Sequence, residues 1–371
     1  MGVHLLRRIA LFALSFAMLA APSLASAHTV TRIGSYIGGD EPFETSTPMS
    51  VASGEVVAVQ ASNSSGYALD ADGSVQAWGD NQAGQLGNGS TEDSEAAVTV
   101  RLPSGVKAAS IGQARNEAVA VTPSGHVFAW GANERGSLCM SRGHLTAPAE
   151  VPGLTNIVAA AGGSTHMLYL TAAGRVLVCG SNENGELGLG EAVQATSRPL
   201  EVPGLTGITQ IGAAGGAGGR SAAINGKGEL FMWGDNEFGQ IGVGSSAPVV
   251  WTPEHVVLPE PVISVAVGGD APNGNGAVLA LTKSDALFGW GDGAAGAIGD
   301  RSAENELSPV ATGLHFAQIA TGGQQSFGLN ASGELFTWGQ TGQVGHRRPA
   351  FLQAGVLSVS ATAQTGVSLV N

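Results

Sequence analysis

A ten-residue phrase that keeps returning constrains this chain more than any other feature. It reads Trp78-Gly79-Asp80-Asn81-Gln82-Ala83-Gly84-Gln85-Leu86-Gly87 at first appearance. It returns from Trp130-Gly131-Ala132-Asn133 to Leu138-Cys139, from Cys179-Gly180-Ser181-Asn182 to Leu187-Gly188, and from Trp233-Gly234-Asp235-Asn236 to Ile241-Gly242. Two degenerate copies run from Trp290-Gly291 to Ile298-Gly299 and from Trp338-Gly339 to Val344-Gly345. Five of the six tryptophans in the chain stand at this one position. A period of about fifty residues marks a repeat architecture, in which each unit buries its apolar face against the next.

Two further elements precede each copy. The nearer is a hairpin turn, as in Asp70-Ala71-Asp72-Gly73, Thr122-Pro123-Ser124-Gly125 and Asn225-Gly226-Lys227-Gly228. Glycine closes each turn, except that Asp285 does so once, as a backbone position with positive φ requires. Alternating apolar residues flank the turns, as in Leu230-Phe231-Met232-Trp233, and predict strands. The farther element is a strand of small residues, as in Val158-Ala159-Ala160-Ala161 and Ala317-Gln318-Ile319-Ala320. Small side chains suit the innermost strand of a propeller blade, where all blades crowd together at the axis.

The inner strand occurs seven times, the last at Ser358-Val359-Ser360-Ala361, whereas the turn and the Trp-Gly phrase occur six times each. After the seventh inner strand only Gly366-Val367-Ser368-Leu369-Val370 remains before Asn371. The reading is therefore all-β: a seven-bladed β-propeller of four-stranded blades, its ring closed by pairing N- and C-terminal strands in one shared blade. The N-terminal contribution is assigned to Thr29-Val30-Thr31-Arg32-Ile33-Gly34. Closure of this kind leaves no open sheet edge around the ring and ties down both chain ends.

The Trp-Gly-x-Asn-x-x-Gly-x-Leu-Gly phrase, preceded by Ala-Gly-Gly-Ser-Thr-His166 and a turn, resembles the regulator-of-chromosome-condensation repeat. The resemblance spans almost the whole chain after the leader and implies the same seven-bladed propeller. The phrase is expected to make the fold. Its tryptophans (with Cys179 as a smaller substitute) would pack between blades, its glycines would turn the loop, and Asn81, Asn133, Asn182 and Asn236 would bond that loop's backbone. The paired glycines Gly79, Gly131, Gly180, Gly234, Gly291 and Gly339 belong to the same structural set.

The first 27 residues read as a secretory leader: Arg7 and Arg8, an apolar run from Ile9 to Ala21, Pro22, and Ala25-Ser26-Ala27 at the cleavage point. Residues 28–371 then form a single propeller domain, expected in the periplasm or outside the cell and without a membrane anchor. Removing the two leader arginines leaves 14 basic against 29 acidic residues, net −15. Such a charge repels phosphate backbones and excludes nucleic acid as a partner. Cys139 and Cys179 could form one disulfide after export. The core position of Cys179 instead favours two separate thiols, and sequence alone leaves the pairing open.

Motifs for chemistry are few. Asp70-Ala71-Asp72-Gly73 resembles the start of a calcium loop but lacks the later acidic ligands, so it reads as a turn. His28 would need a second histidine opposite it to hold copper, and nothing in the sequence places one. No nucleophile elbow, phosphate loop or paired-His motif occurs, so no catalytic residue, metal or cofactor is expected. Aligning the repeats on their turns brings Ser65, Glu117, His166, Arg220, Ala277, Gln325 and Thr365 to one equivalent position. Glu117, His166 and Arg220 would then stand on three consecutive blades with Arg115 close by, an arrangement suited to a small anion or a partner's loop. The plainer alternative is that His166 bonds its own loop. Trp251, the one tryptophan outside the phrase, is the candidate exposed contact.

These readings favour a monomeric, non-enzymatic, inhibitor-like scaffold binding an unidentified protein through one propeller face. A propeller lyase or hydrolase acting on polysaccharide is the alternative. Guanine-nucleotide exchange, the activity that the family resemblance would imply, ranks last: repeat spacing leaves no room for a projecting wedge, the charge is opposite, and export removes the substrate.

Overall fold

The computed structural model describes residues 29–34, 46–49, 55–62, 64–133, 135–141, 143–215, 218–269, 276–341, 344–361 and 365–370. The segment expected to be a leader, residues 1–27, and His28 lie outside the described residues. Among the described residues every element is a β-strand, and these strands form seven four-stranded antiparallel sheets.

Six of these sheets are blades built from consecutive strands. Blade I holds Val56–Ala61, Ser65–Asp70, Val75–Gly79 and Ser94–Thr99; blade II holds Ser110–Gln113, Glu117–Val121, Val127–Gly131 and Leu145–Glu150. Blade III holds Ile157–Gly162, His166–Thr171, Val176–Ser181 and Ala195–Glu201; blade IV holds Ile208–Ala214, Arg220–Asn225, Leu230–Asp235 and Val249–Val256. Blade V holds Val262–Val267, Ala277–Thr282, Ala286–Gly291 and Glu306–His315; blade VI holds Gln318–Thr321, Gln325–Leu329, Leu335–Thr341 and Val344–Gln353.

The expectation of seven blades is corrected on this point. Counting units that carry the repeat, the propeller has six blades of four strands each. The gap between blades VI and I is filled by a composite sheet in the order Ser46–Met49, Thr29–Gly34, Thr365–Val370, Val356–Ala361. The physical reason is that the repeat needs a Trp-Gly phrase on its third strand, and Thr29–Gly34 supplies neither tryptophan nor the loop phrase after it. The inner strand of the composite sheet touches that of blade I, where the Ala61 amide donates to Ser360 Oγ at 3.0 Å.

The tryptophans fix the spacing of the blades. Trp78, Trp130, Trp233, Trp290 and Trp338 are the largest fully buried side chains. Trp130 Nε1 donates to the Gln85 carbonyl at 2.8 Å, reaching the phrase loop of the preceding blade. Trp233 reaches Glu186, Trp290 reaches Gln240 and Trp338 reaches Ala297 in the same way, each at 2.9 Å. The glycine that ends each phrase makes room for the next ring. A Cβ at Gly87 would meet Trp130 at 2.8 Å, and one at Gly242 would meet Trp290 at 2.6 Å.

One seam is built differently. Cys139 ends the phrase of blade II, where other blades have glycine, and Cys179 stands at the tryptophan position of blade III. The two are joined as a disulfide with a Cα–Cα distance of 5.3 Å, so the expectation of separate thiols is corrected. The core position of Cys179, taken as a sign of a free thiol, is what places it opposite the preceding loop. Cys139 keeps the left-handed backbone of the glycines it replaces, with φ 57° against 60° at Gly87 and 66° at Gly188.

Local turn chemistry follows the same logic. Asp285 adopts φ 63° where the equivalent turns use glycine. Asn81 Oδ1 accepts from the Leu86 amide at 2.9 Å while its Nδ2 donates to the Ser90 and Glu92 carbonyls. Asn133, Asn182 and Asn236 repeat the pattern on Leu138, Leu187 and Ile241. The outer strands of blades II to VI each carry a proline: Pro148, Pro199, Pro253, Pro309 and Pro349. Ladder register shifts beside each of them. Proline and irregular pairing on an edge strand oppose the addition of a further strand.

Candidate functional site

The alignment of the repeats holds in the structure. Ser65, Glu117, His166, Arg220, Ala277, Gln325 and Thr365 are each the first residue of the second strand of their sheet. Glu117, His166 and Arg220 therefore occupy one structural position on three consecutive blades. They do not line an open pocket, because Glu117 is 5% exposed and the other two are fully enclosed.

Each makes contacts inside the ring. Ser137 Oγ, in the phrase loop of blade II, donates to Glu117 Oε1 at 2.6 Å. His166 Nε2 lies 3.0 Å from Ser221 Oγ, and Ser221 donates its own proton to the Glu186 carbonyl at 2.8 Å. With that proton committed, the Ser221 oxygen accepts from His166, which places the imidazole proton on Nε2. Arg220 Nη1 donates to the Gly268 carbonyl at 2.8 Å, bridging blade IV to blade V, and Nη2 lies 3.5 Å from Asp235 Oδ2.

Electrostatics follow from this enclosure. Burial holds the His166 pKa down to about 4, against a smaller upward pull from the backbone at Arg220. The imidazole is accordingly neutral at neutral pH. Burial likewise raises the carboxyls of Glu186 and Asp235, and the Arg220 charge only partly offsets this for Asp235. Such a network can hold loops in register, and Glu117, His166 and Arg220 are too enclosed to offer a ligand their own surface.

The other two candidates are apart from this cluster. Arg115 is exposed, and its backbone carbonyl accepts from Ser62 Oγ at 2.9 Å. Trp251 is partly exposed on the outer strand of blade IV, and its carbonyl accepts from the Gly190 amide. The structure thus brings Glu117, His166 and Arg220 to one level and leaves Trp251 on the rim. Sequence reasoning missed Ser221 and Glu186, which complete the network. The available signal was the serine after Arg220, repeated after Gln325: Ser326 donates to the Ala297 carbonyl as Ser221 does to Glu186. Among the described residues no group of three His, Cys, Asp or Glu side chains is placed to hold a metal ion. No described helix is long and apolar enough to cross a membrane.

Enclosed tryptophan seams, phrase loops and inward-turned strand starts define a repeat propeller. Regulator of chromosome condensation (RCC1) repeat profiles match residues 72–114, 124–170 and 227–271, and a second profile of that repeat matches 56–85 and 157–186. The chain thus carries RCC1 repeats over residues 56–114, 124–186 and 227–271. It is 29% identical over 307 residues to the ultraviolet-B receptor UVR8 of Arabidopsis thaliana, covering 78% of this chain and 67% of that protein. Over 256 residues it is 31% identical to the RCC2 homolog of Danio rerio, covering 60% of this chain and 50% of that protein. The mouse ubiquitin ligase HERC2 is 28% identical over 279 residues, but the chain spans only 6% of its length. Among solved structures, human WBSCR16 shares the fold with a TM-score of 0.79 at 20% identity, covering 93% of this chain and 99% of that one. Yeast RCC1 (Prp20), solved bound to Kap60, gives 0.78 at 19% identity, covering 95% and 96%.

Proposed function

We propose that this protein is an exported scaffold that binds another protein through its exposed propeller surface. One observation carries the reading: the polar groups of the repeat are engaged internally. The phrase asparagines hold their own loops, and Glu117, His166 and Arg220 are enclosed. What differs from blade to blade is therefore the exposed loop and rim surface, including Arg115 and Trp251. Protein binding also appears in the solved relatives, since yeast RCC1 is described in complex with Kap60 and Prp20p in its binding to Gsp1p and histones. Export is supported by the leader pattern and by the Cys139–Cys179 disulfide, a bond that persists in oxidising compartments.

The test is affinity capture from culture medium and periplasm with purified residues 28–371 as bait, followed by reconstitution of any captured protein in pure form. A stoichiometric complex is the expected result. Failure to form one, together with turnover of a polysaccharide panel by the purified chain, would replace the scaffold with an enzyme.

A further inference from the structure

The seam between the outer parts of blades V and VI opens as a groove of about 450 Å³ lined by Arg301, Leu314, His315, Phe336, Arg348 and Pro349, among others. No acidic residue lines it, although the chain as a whole carries 29 acidic against 16 basic residues. Arg301, His315 and Arg348 are all exposed. Among the described residues no salt bridge engages Arg301 or Arg348. Two acids beside the lining are engaged locally: Glu334 accepts from Asn330 Nδ2 at 2.6 Å, and Asp300 accepts from the Ser302 amide at 2.9 Å.

An aromatic row leads from the core to this surface. Trp338 stacks on Phe316 at 5.5 Å, Phe316 lies 6.0 Å from Phe336, and Phe336 meets Phe351 edge-on at 6.1 Å. The first two are buried, whereas Phe351 is 59% exposed.

The backbone supplies an independent observation. Two residues after the phrase, blades I, III and IV have Gly89, Gly190 and Gly244, with φ of 83°, 83° and 72°. Blade V has Arg301 at that place, with φ 74°. A side chain there carries left-handed strain that glycine avoids. Strain kept at an exposed cationic position points to a role for that cation.

We propose that this groove binds an extended acidic peptide segment of a partner protein, with its carboxylates on Arg301 and Arg348 and an apolar side chain against Leu314, Phe336 and Phe351. The proposal rests on the scaffold reading and names the surface it uses. Guanidinium groups pair with carboxylates through charge-assisted hydrogen bonds, and the aromatic row supplies the apolar anchor. An acidic sugar fits less well. Its many hydroxyls need side-chain acceptors as well as donors; no carboxylate lines the groove, and the one amide there, Asn330, is already occupied by Glu334 and the turn amides of Ser332 and Glu334. Strand addition is opposed by Pro309 and Pro349 on the two outer strands.

Isothermal titration calorimetry with residues 28–371 tests this, using three probes: an acetylated Glu-Asp-Phe-Glu-Asp peptide, the same peptide with lysine at every acidic position, and polygalacturonate. The acidic peptide is expected to bind alone, more weakly as salt rises. Arg301→Gly and Arg348→Ala should each weaken it about tenfold or more, the loss of one charge-assisted contact. Arg301→Gly should melt no lower than the native chain, because it relieves strain, so its lost binding is not lost folding. Absence of acidic-peptide binding, equal binding of the lysine peptide, or indifference to both substitutions overturns the proposal. Arginine-dependent binding of polygalacturonate without the peptide overturns it in favour of a glycan. If a captured partner protein binds both variants normally, the groove fails while the scaffold stands. If the peptide binds and no partner protein is found, the scaffold reading fails and the groove remains.

Discussion

Replacing Cys139 by glycine and Cys179 by tryptophan at the same time would rebuild the blade II–III seam on the pattern of its neighbours. The disulfide closes a loop with a sequence separation of 40. Chain-entropy arguments assign a cross-link of this span about 4 kcal/mol, through restriction of the unfolded state. At the other seams the work falls to a buried tryptophan, whose truncation to alanine typically costs about 3–5 kcal/mol. The two devices are thus of similar strength. The swap also removes left-handed strain at Cys139, worth about 1–2 kcal/mol, and gives an indole within reach of the Ser137 carbonyl, the counterpart of Gln85 and Glu186. The expected order in guanidinium unfolding, followed by far-ultraviolet circular dichroism, is clear. Cys139→Ala with Cys179→Ala should lose about 4 kcal/mol. The glycine–tryptophan pair should recover more than half of that loss and, unlike the native chain, be indifferent to reductant. If the pair is no more stable than the double alanine, the seams are not interchangeable and the reasoning is wrong.

Three further predictions concern the ring. Trp233→Ala should cost about 3–5 kcal/mol, since it empties a fully buried site and leaves the Glu186 carbonyl with one donor fewer; an unchanged unfolding midpoint would refute the inter-blade role. His166 has a folded pKa of about 4 against an ordinary 6.5, so the unfolded chain takes up a proton first as pH falls. Stability from this group is therefore full above about pH 6.5 and lost progressively towards pH 4, by roughly 3 kcal/mol at most. Glu186 and Asp235, raised by burial, work in the opposite sense. His166→Gln should flatten the pH dependence measured by urea unfolding in that window, and an unaltered slope would remove His166 from the account. Deleting residues 367–371 removes most of the strand that pairs with both Thr29–Gly34 and Val356–Ala361. Thermal unfolding should then start markedly earlier for the whole ring, whereas a melting curve that superimposes on that of the intact chain would show closure to be dispensable.

The sequence carried the repeat unit in unusual detail, because several residue types answer to one geometric need each. Turn glycines and Asp285 mark positive φ, phrase asparagines mark the loop they hold, and tryptophans mark the seams. The equivalence of the positions from Ser65 to Thr365 was legible, but as a loop between first and second strands, whereas each begins the second strand. The disulfide was not, because each cysteine was weighed alone. Cys139 replaces the glycine, and Cys179 the tryptophan, of the same inter-blade contact, and only the packing of one blade on the next shows the coincidence. Polar residues at strand starts were legible as a set but not as buried, since burial depends on how closely adjacent blades approach. The chain ends form a sheet without the repeat's own features, which is why counting inner strands overstated the number of repeat blades. Arg301 was visible as an arginine where three blades have glycine, yet its meaning required the φ angle and the groove beside it.

Hydrogen–deuterium exchange on residues 28–371, alone and with a captured partner, addresses the central claim most directly: the repeat motif builds the ring and recognition belongs to the exposed seam between blades V and VI. Protection is predicted across residues 299–316 and 347–351, with the phrase loops at Asn81, Asn133, Asn182 and Asn236 unchanged because they are already closed by their own hydrogen bonds. Protection concentrated on those phrase loops, with the blade V–VI seam exchanging freely, would contradict it.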